Sequence, residues 1–335
     1  MQRFFYPILL GLFFMGNLIP RSLWSQEYLI QTQRFSVEEG LSNRFVYSAV
    51  QDDLGFMWFG TKHGLNRYDG YQFKILTAEK DGLQSNVTVG LRKDSEGMIW
   101  VTYANTNDQL TAVKKVDILN PWTLEVKSFD ETFGVDCPLK EKDIKRIEEH
   151  KKERLIITTK KGKAFSYSQE EGFQNIYTTD STTIISKLLY SSNGYWIHSN
   201  DQLLYLDTKT NQLDTIIYDS LYTFDQFKNK LILQRQRPLN RDNPYAFHAY
   251  PLEKSFPDEL ENVEGTVLEY FEEWWTIKGL EFILTKRNFI VTNSTGQKIF
   301  EYKPIYNYLR DAYVDNQYNI WLCSDGEIVK VHCLS

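Results

Sequence analysis

Short apolar stretches recur along this chain from residue 29 onward, and turn residues rather than helical spacing separate them. Apolar and polar positions alternate from Val46 to Asp52, the pattern of a half-buried strand. Asp53 and Gly55 then interrupt it, a pair suited to a tight turn because Asp bonds its own backbone and Gly tolerates positive φ. A second strand follows with Trp58 at its centre. Lys62-His63-Gly64 turns the chain again, Leu65–Asp69 predicts a third strand, and Tyr71–Leu76 a fourth after Gly70. Four short antiparallel strands at this spacing describe one blade of a β-propeller.

The unit repeats. Asp52, Gly55 and Trp58 have counterparts in Asp94, Gly97 and Trp100, and Asp315 stands six residues before Trp321 in the same way. Weaker copies place Ile156 in Leu155–Gly162, Trp196 in Asn193–His198, Ile232 in Leu231–Gln234 and Phe282 in Phe282–Lys286 at the tryptophan position. The seven positions are spaced near 44 residues apart, the length of a four-stranded blade. The last copy has room for three strands before Ser335, while Leu29–Val37 is a spare strand ahead of the first. The expected fold is therefore all-β: a seven-bladed propeller in which the N-terminal strand completes the last blade and leaves no open edge. Glu141–Lys152 is expected to begin the third blade, with Ile144 and Ile147 as strand residues. Asp258–Glu264 reads as an acidic surface loop.

The N-terminus is different in kind. Arg3, the apolar run Ile8–Ile19 and the small residues around Ser25 form a secretory signal, so residues 1–25 are expected to be removed near Ser25. Residues 26–335 then form a single propeller domain in the periplasm or otherwise outside the cytoplasm. The apolar run is shorter than a stable membrane span requires. Cleavage removes Arg3 and Arg21 and no acid, taking 38 basic residues to 36 against 44 acidic ones, a net charge of −8. Such a surface repels phosphate backbones, and no basic stripe offsets it, so nucleic acid is not an expected partner. Aromatic residues make up 15% of the chain, which suits strands. Cys137, Cys323 and Cys333 are too few for a disulfide framework. Cys323 and Cys333 are expected at opposite ends of a hairpin turning at Asp325-Gly326.

The phrase Gly40-Leu41-Ser42-Asn43, Val46–Asp52, Gly55-x-x-Trp58-x-Gly60-Thr61-x-x-Gly64-Leu65-Asn66-Arg67-Tyr68-Asp69 resembles the two-component regulator propeller repeat. Asp81–Val87 restarts it, and residues 311–331 show it again. The resemblance implies the periplasmic sensor of a membrane histidine kinase, often a hybrid one, many of which respond to carbohydrates. No kinase segment lies within these residues, which leaves three readings open: a free-standing sensor unit, a partner of a separate membrane histidine kinase, or a truncated relic.

In a blade, the loops between the second and third strands share a face with those leading to the next blade, and propeller ligands usually bind there. The candidates on that face are Asn43, Arg44, Lys62, His63, Asn86, Lys160 with Lys161, and Asn200. An insertion after Trp100 adds Asn105 and Asn107. Amide side chains suit a polyhydroxylated ligand such as an oligosaccharide, though each residue also suits a plain turn. The Asp–Trp phrases are similar to the Asp-box turns of sialidase propellers, which are structural, so no catalytic residue is implied. His63, His150, His198, His248 and His332 lack metal-binding spacing, and no cofactor motif is present. In Trp274-Trp275 one ring is expected to face outward, to pack on the next blade or stack on a sugar. A ligand-sensing module is the leading expectation. A secreted carbohydrate-active propeller enzyme and a protein-interaction scaffold are the alternatives.

Overall fold

The computed structural model describes residues 29–104, 113–150, 154–179, 185–191, 193–199, 202–218, 222–227, 230–235, 247–251, 271–277, 279–285, 287–293, 295–306 and 308–334. The secretory segment, Asn105, Asn107, Asn200 and the acidic stretch Asp258–Glu264 lie outside them.

The described residues form seven antiparallel sheets in chain order. Sheet I comprises β2 (Val46–Gln51), β3 (Met57–Thr61), β4 (Gly64–Tyr68) and β5 (Phe73–Leu76). Sheet II comprises β6 (Thr88–Lys93), β7 (Ile99–Tyr103), β8 (Lys115–Leu119) and β9 (Val126–Ser128). Sheet III comprises β10 (Ile144–His150), β11 (Arg154–Thr159), β12 (Lys163–Ser168) and β13 (Gly172–Thr178). Sheet IV comprises β14 (Ile185–Ser191), β15 (Gly194–Ser199), β16 (Gln202–Asp207) and β17 (Leu213–Tyr218). Three described strands make sheet V: β18 (Tyr222–Phe227), β19 (Lys230–Arg235) and β20 (Phe247–Pro251). Sheet VI comprises β21 (Phe271–Ile277), β22 (Leu280–Thr285), β23 (Phe289–Thr292) and β24 (Lys298–Tyr302). Sheet VII joins β25 (Leu309–Val314), β26 (Ile320–Ser324) and β27 (Ile328–Leu334) to β1 (Leu29–Phe35) from the other end of the chain.

Each weak copy of the repeat lies on the second strand of its sheet, with Ile156 on β11, Trp196 on β15, Ile232 on β19 and Phe282 on β22. A short helix, α1 (Ala78–Asp81), follows sheet I, and the long step between Trp100 and Ile156 holds a second, α2 (Phe129–Phe133), whose start Ser128 and Glu131 close with a reciprocal capping box. A 3₁₀ turn at Glu141–Asp143 leads directly into β10, where Ile144 and Ile147 are buried.

Second strands such as β3, β7 and β26 are buried along their whole length. That departs from simple alternation because neighbouring sheets cover both faces. Fourth strands keep exposed positions, as in β5 and β9. The apolar clusters are shared between sheets rather than enclosed by one. Phe35, Phe59 and Tyr68 pack on Trp321; Trp58 and Leu76 pack with Leu91 and Val101; Trp100 packs with Leu155 and Tyr167; Ile156 packs with Ile197 and Leu204; Phe282 and Phe289 pack with Leu309 and Leu322.

The repeated Asp is the hub of each turn. Asp52 Oδ1 accepts from the backbone N–H of Leu54 and Phe56 at 3.0 and 2.9 Å, while its Oδ2 accepts from Trp58 Nε1 at 2.7 Å. Asp94 does the same for Glu96, Met98 and Trp100, and Asp315 for Gln317, Asn319 and Trp321. The turn needs a left-handed residue three positions after the Asp, where Gly55 has φ 88° and Gly97 has φ 76°. In the last copy that place belongs to the exposed Tyr318, at φ 64°. A side chain there strains the backbone. Tyr318→Gly is therefore expected to stabilise the protein by about 0.5–1 kcal/mol, after the extra unfolded-state freedom of glycine is counted. Urea unfolding checks this, and a lowered midpoint would contradict it.

Candidate functional site

Register locates the site. In six of the seven sheets the first strand carries one extra residue at the same place, opposite the end of the second strand. The bulged residues are Tyr47, Val89, Lys145, Ser186, Glu272 and Arg310. A bulge bends its strand and re-aims a side chain out of the regular pleat. First strands are also the ones that pack sheet to sheet, β25 on β2, β2 on β6, β6 on β10 and β18 on β21. The bulges thus fall along the inner strands, at the end that also carries the loops between second and third strands.

A polar ladder ties three inner strands beneath this end. Ser48 Oγ donates to Asp311 Oδ2 at 2.8 Å and accepts from the N–H of Leu91 at 3.2 Å. Ala49 N–H also donates to Asp311 Oδ2, at 3.0 Å. Arg92 reaches the Leu91 carbonyl at 2.7 Å and lies close enough to Asp311 for its charge to act on that carboxyl. Burial outweighs Arg92 and the hydrogen bonds and raises the Asp311 carboxyl above its ordinary range, although the residue keeps some contact with solvent.

Between sheets I and VII the loop face presents aromatic rings with cations over them. The Arg44 guanidinium stands 4.9 Å from the Phe45 ring centre and 5.0 Å from that of Tyr306. Lys62 Nζ lies 5.4 Å from the Phe45 ring. Bulged Arg310 sits 5.3 Å from the Tyr308 ring and 5.9 Å from the ring of bulged Tyr47. Its guanidinium grips Asp325 with two parallel hydrogen bonds of 2.7 and 2.6 Å, and this pairing holds Arg310 charged and fixed. Gly326 lets Tyr306 lie against the turn, since a Cβ there would come within 2.9 Å of the Tyr306 ring. Tyr306 and Tyr308 remain about half exposed, at 51% and 47%.

The residues expected from sequence divide into groups. Asn43, Arg44 and Lys62 do converge, with Asn43 Oδ1 accepting from the Phe45 N–H at 3.0 Å as a turn former. His63 and Asn86 belong to a second group around Glu79: Asn86 donates to Glu79 at 2.9 Å and accepts from the Ala78 N–H at 2.8 Å. Glu79 is held below its ordinary range mainly by Asn86, with a smaller contribution from His63. Lys160 lies apart, on the turn after β11, donating to the Lys142 carbonyl at 2.7 Å, and Lys161 pairs with Asp143. Arg310, Tyr306, Tyr308 and Tyr47 are absent from the sequence-based set. The one available signal was the aromatic run Tyr306-x-Tyr308 just ahead of the last copy.

Loop residues are clamped from the third strands. Asn66 Oδ1 accepts from the Ser42 N–H at 2.9 Å, and Asp117 Oδ2 accepts from the Gln84 N–H at 2.9 Å at the equivalent place in sheet II. Tyr103 also donates to Asp117 at 2.6 Å. Burial raises the carboxyls of Asp94 and Asp117, as it does that of Asp311, against the hydrogen bonds that lower them. All three therefore bind a proton more tightly folded than unfolded. Their proton-linked stabilisation is complete below the unfolded value of about 3.9 and is lost as pH rises through the raised folded value. Asp117→Asn is expected to flatten the fall in stability across that mildly acidic window. Urea unfolding at a series of pH values reads it, and a slope equal to that of the unaltered protein would refute it.

Cys137 and Cys323 are free thiols, both pushed up by burial. Cys323 faces Ile328 across the hairpin while Cys333 pairs with Ile30 at its far end. Trp274 and Trp275 lie on β21, and their side chains are outside the described set. Among the described residues no helix is long and apolar enough to cross a membrane.

Comparison with known proteins bears on the repeat and on the fold. Residues 40–63 match the two component regulator propeller family. A stretch of 54 residues is 41% identical to histidine kinase P4 of Formosa agariphila, covering 16% of this chain and 4% of that protein. The extracellular domain of a putative hybrid two component system from B. thetaiotaomicron shares the fold at a TM-score of 0.62 and 18% identity, over 91% of this chain and 42% of that one. Virginiamycin B lyase from Staphylococcus aureus shares it at 0.57 and 11% identity, over 92% of this chain and 100% of the lyase. The chain thus spans less than half of the two-component ectodomain, and its match to the kinase is a small fraction of that protein.

Proposed function

We propose that this chain, which carries a two-component regulator propeller repeat and has the fold of a two-component sensor ectodomain, is an exported ligand-recognition propeller that informs a separate membrane histidine kinase. In this reading the seven sheets are blades of one ring, β1 closes it on β27, and residues 1–25 direct export. The ligand is a carbohydrate bound on the loop face between sheets I and VII. One observation carries the reading: the matched stretch 40–63 contains Arg44, Phe45, Tyr47 and Lys62, the part of sheet I that builds the aromatic and cationic face. Half-exposed tyrosine rings offer flat apolar surface to a sugar ring, and the bidentate Arg310–Asp325 pair fixes the rings beside it before any ligand arrives.

The test is a calorimetric screen of neutral and charged oligosaccharides on the mature protein, repeated with Tyr306→Ala/Tyr308→Ala. A binding saccharide is expected to lose about tenfold or more in affinity when both rings are removed, the scale of aromatic anchors at interfaces. Silence across a broad panel, or binding indifferent to the rings, would overturn the reading. The fold is also that of a propeller lyase, so the second reading is an enzyme that acts on the saccharide it binds. Consumption of the bound saccharide over hours would favour that one, and recovery of it unchanged would favour recognition alone.

A further inference from the structure

We infer that Asp311 is a positioning residue of the loop face: its carboxylate locks the first strands of sheets VII, I and II together one residue beyond the bulges, and so fixes the bulged side chains Tyr47 and Arg310. The inference rests on the reading that this face binds a ligand, and it names the group that keeps the face formed while it is empty.

Register puts the lock where it can act. Pairing between β2 and β3 passes from Val46 to Ser48 and skips Tyr47, and pairing between β25 and β26 passes from Leu309 to Asp311 and skips Arg310. The ladders therefore leave both bulged residues unheld. Ser48 and Asp311 are the residues at which each ladder resumes, and they bond each other at 2.8 Å across the seam between the first and last sheets. The same oxygen, Asp311 Oδ2, accepts from the N–H of Ala49 at 3.0 Å, and Ser48 Oγ carries the tie on to the N–H of Leu91 at 3.2 Å. β2 and β6 each border a single strand of their own sheet, so these N–H groups find in Asp311 and Ser48 the acceptors that no second neighbouring strand supplies. Arg310 is thus held at both ends, its backbone beside Asp311 and its guanidinium by Asp325 at 2.7 and 2.6 Å, with the Tyr47 ring 5.9 Å away.

The repeat does not call for a carboxylate at this place. Ser48, Gly90, Arg146, Lys187 and Glu273 hold it in sheets I to IV and VI, and they share neither size nor charge. Burial raises the Asp311 carboxyl, so keeping it ionised in the folded protein costs stability, the pattern of a group retained for function.

The experiment needs no ligand, so a silent saccharide screen and a failed lock are separate results. Hydrogen exchange of arginine Nε–H and indole N–H groups is followed by nuclear magnetic resonance on the full mature chain, with Arg310 assigned by its loss in Arg310→Lys. In the unaltered protein the Arg310 Nε–H, donated to Asp325, is expected to exchange slowly. Ser48→Ala and Asp311→Ala, which each remove the tie, are expected to speed it about tenfold or more, and Asp311→Asn, which keeps an accepting oxygen, to restore it to within about threefold. The indole N–H of Trp321, bonded to Asp315 at 2.8 Å at the other end of sheet VII, is the internal control and is expected to keep its rate. Should Asp311→Ala fail to fold, Ser48→Ala decides by the same two signals. Trp321 quickening in step with Arg310 would reveal a general loosening of the sheet and overturn the positioning role. An Arg310 signal indifferent to the alanine substitutions, or one that Asp311→Asn leaves as fast as alanine does, would overturn it equally.

Discussion

Replacing Asp52 with alanine is expected to lower the unfolding free energy by about 3–5 kcal/mol, far above the ordinary effect of a turn substitution. The carboxylate is buried and satisfies three donors at once, two backbone N–H groups of its own turn and the indole of Trp58. Alanine strands all three. The indole is the costly one, because Trp58 is fully enclosed between sheets I and II and finds no water in exchange. Asp52→Asn keeps one acceptor oxygen and should lose roughly half as much. Urea unfolding followed by tryptophan fluorescence measures both. A loss below about 1 kcal/mol for the alanine variant would mean that the turn is held by its backbone alone.

Removing residues 29–35 is expected to abolish cooperative unfolding and drive aggregation. β1 pairs along the whole of β27, from Leu29 opposite Leu334 to Phe35 opposite Ile328. Its loss bares the hydrogen-bonding edge of β27, a template for pairing with other chains. It also removes Phe35, stacked 5.7 Å from Trp321 and edge-on to Tyr68 at 5.0 Å, and Arg34, which pairs with Glu327 at 3.2 Å. Phe35→Ala alone should cost about 3–4 kcal/mol, the usual figure for a buried phenylalanine. Light scattering and differential scanning calorimetry of the truncated chain test the point. A monomer with an unchanged melting transition would show that β1 is dispensable.

The parts of the fold that could be read in advance are those set by neighbours in sequence. The Asp–Gly–Trp turn is one, since every group that Asp52, Asp94 and Asp315 bond lies within six residues. The spare strand at Leu29–Val37 was another, because a three-stranded last copy demands a fourth. Asn43 and Asn86 were identified as face residues by their place in the repeat, and both prove to shape their own turns. Bulges escaped notice for a plain reason. Tyr47, Val89, Lys145, Ser186 and Arg310 share no size, charge or polarity, so a one-residue slip in pairing leaves no mark on the pattern. Asp258–Glu264, Asn105, Asn107 and Asn200 fall outside the described residues.

By itself, then, the sequence determined a series of small antiparallel sheets, the turn hub of each strong copy, and which loops share a face. Those follow from local hydrogen bonding and from the apolar period of single strands. Tertiary structure decided the site. Arg44 and Tyr306 are 262 residues apart in the chain yet stand 5.0 Å apart in space. They meet because β2 packs against β25 and β1 against β27, so that the first and last copies become neighbours. Neither sheet can bury its apolar face alone, and that shared burial brings together rings and cations that no local pattern connects.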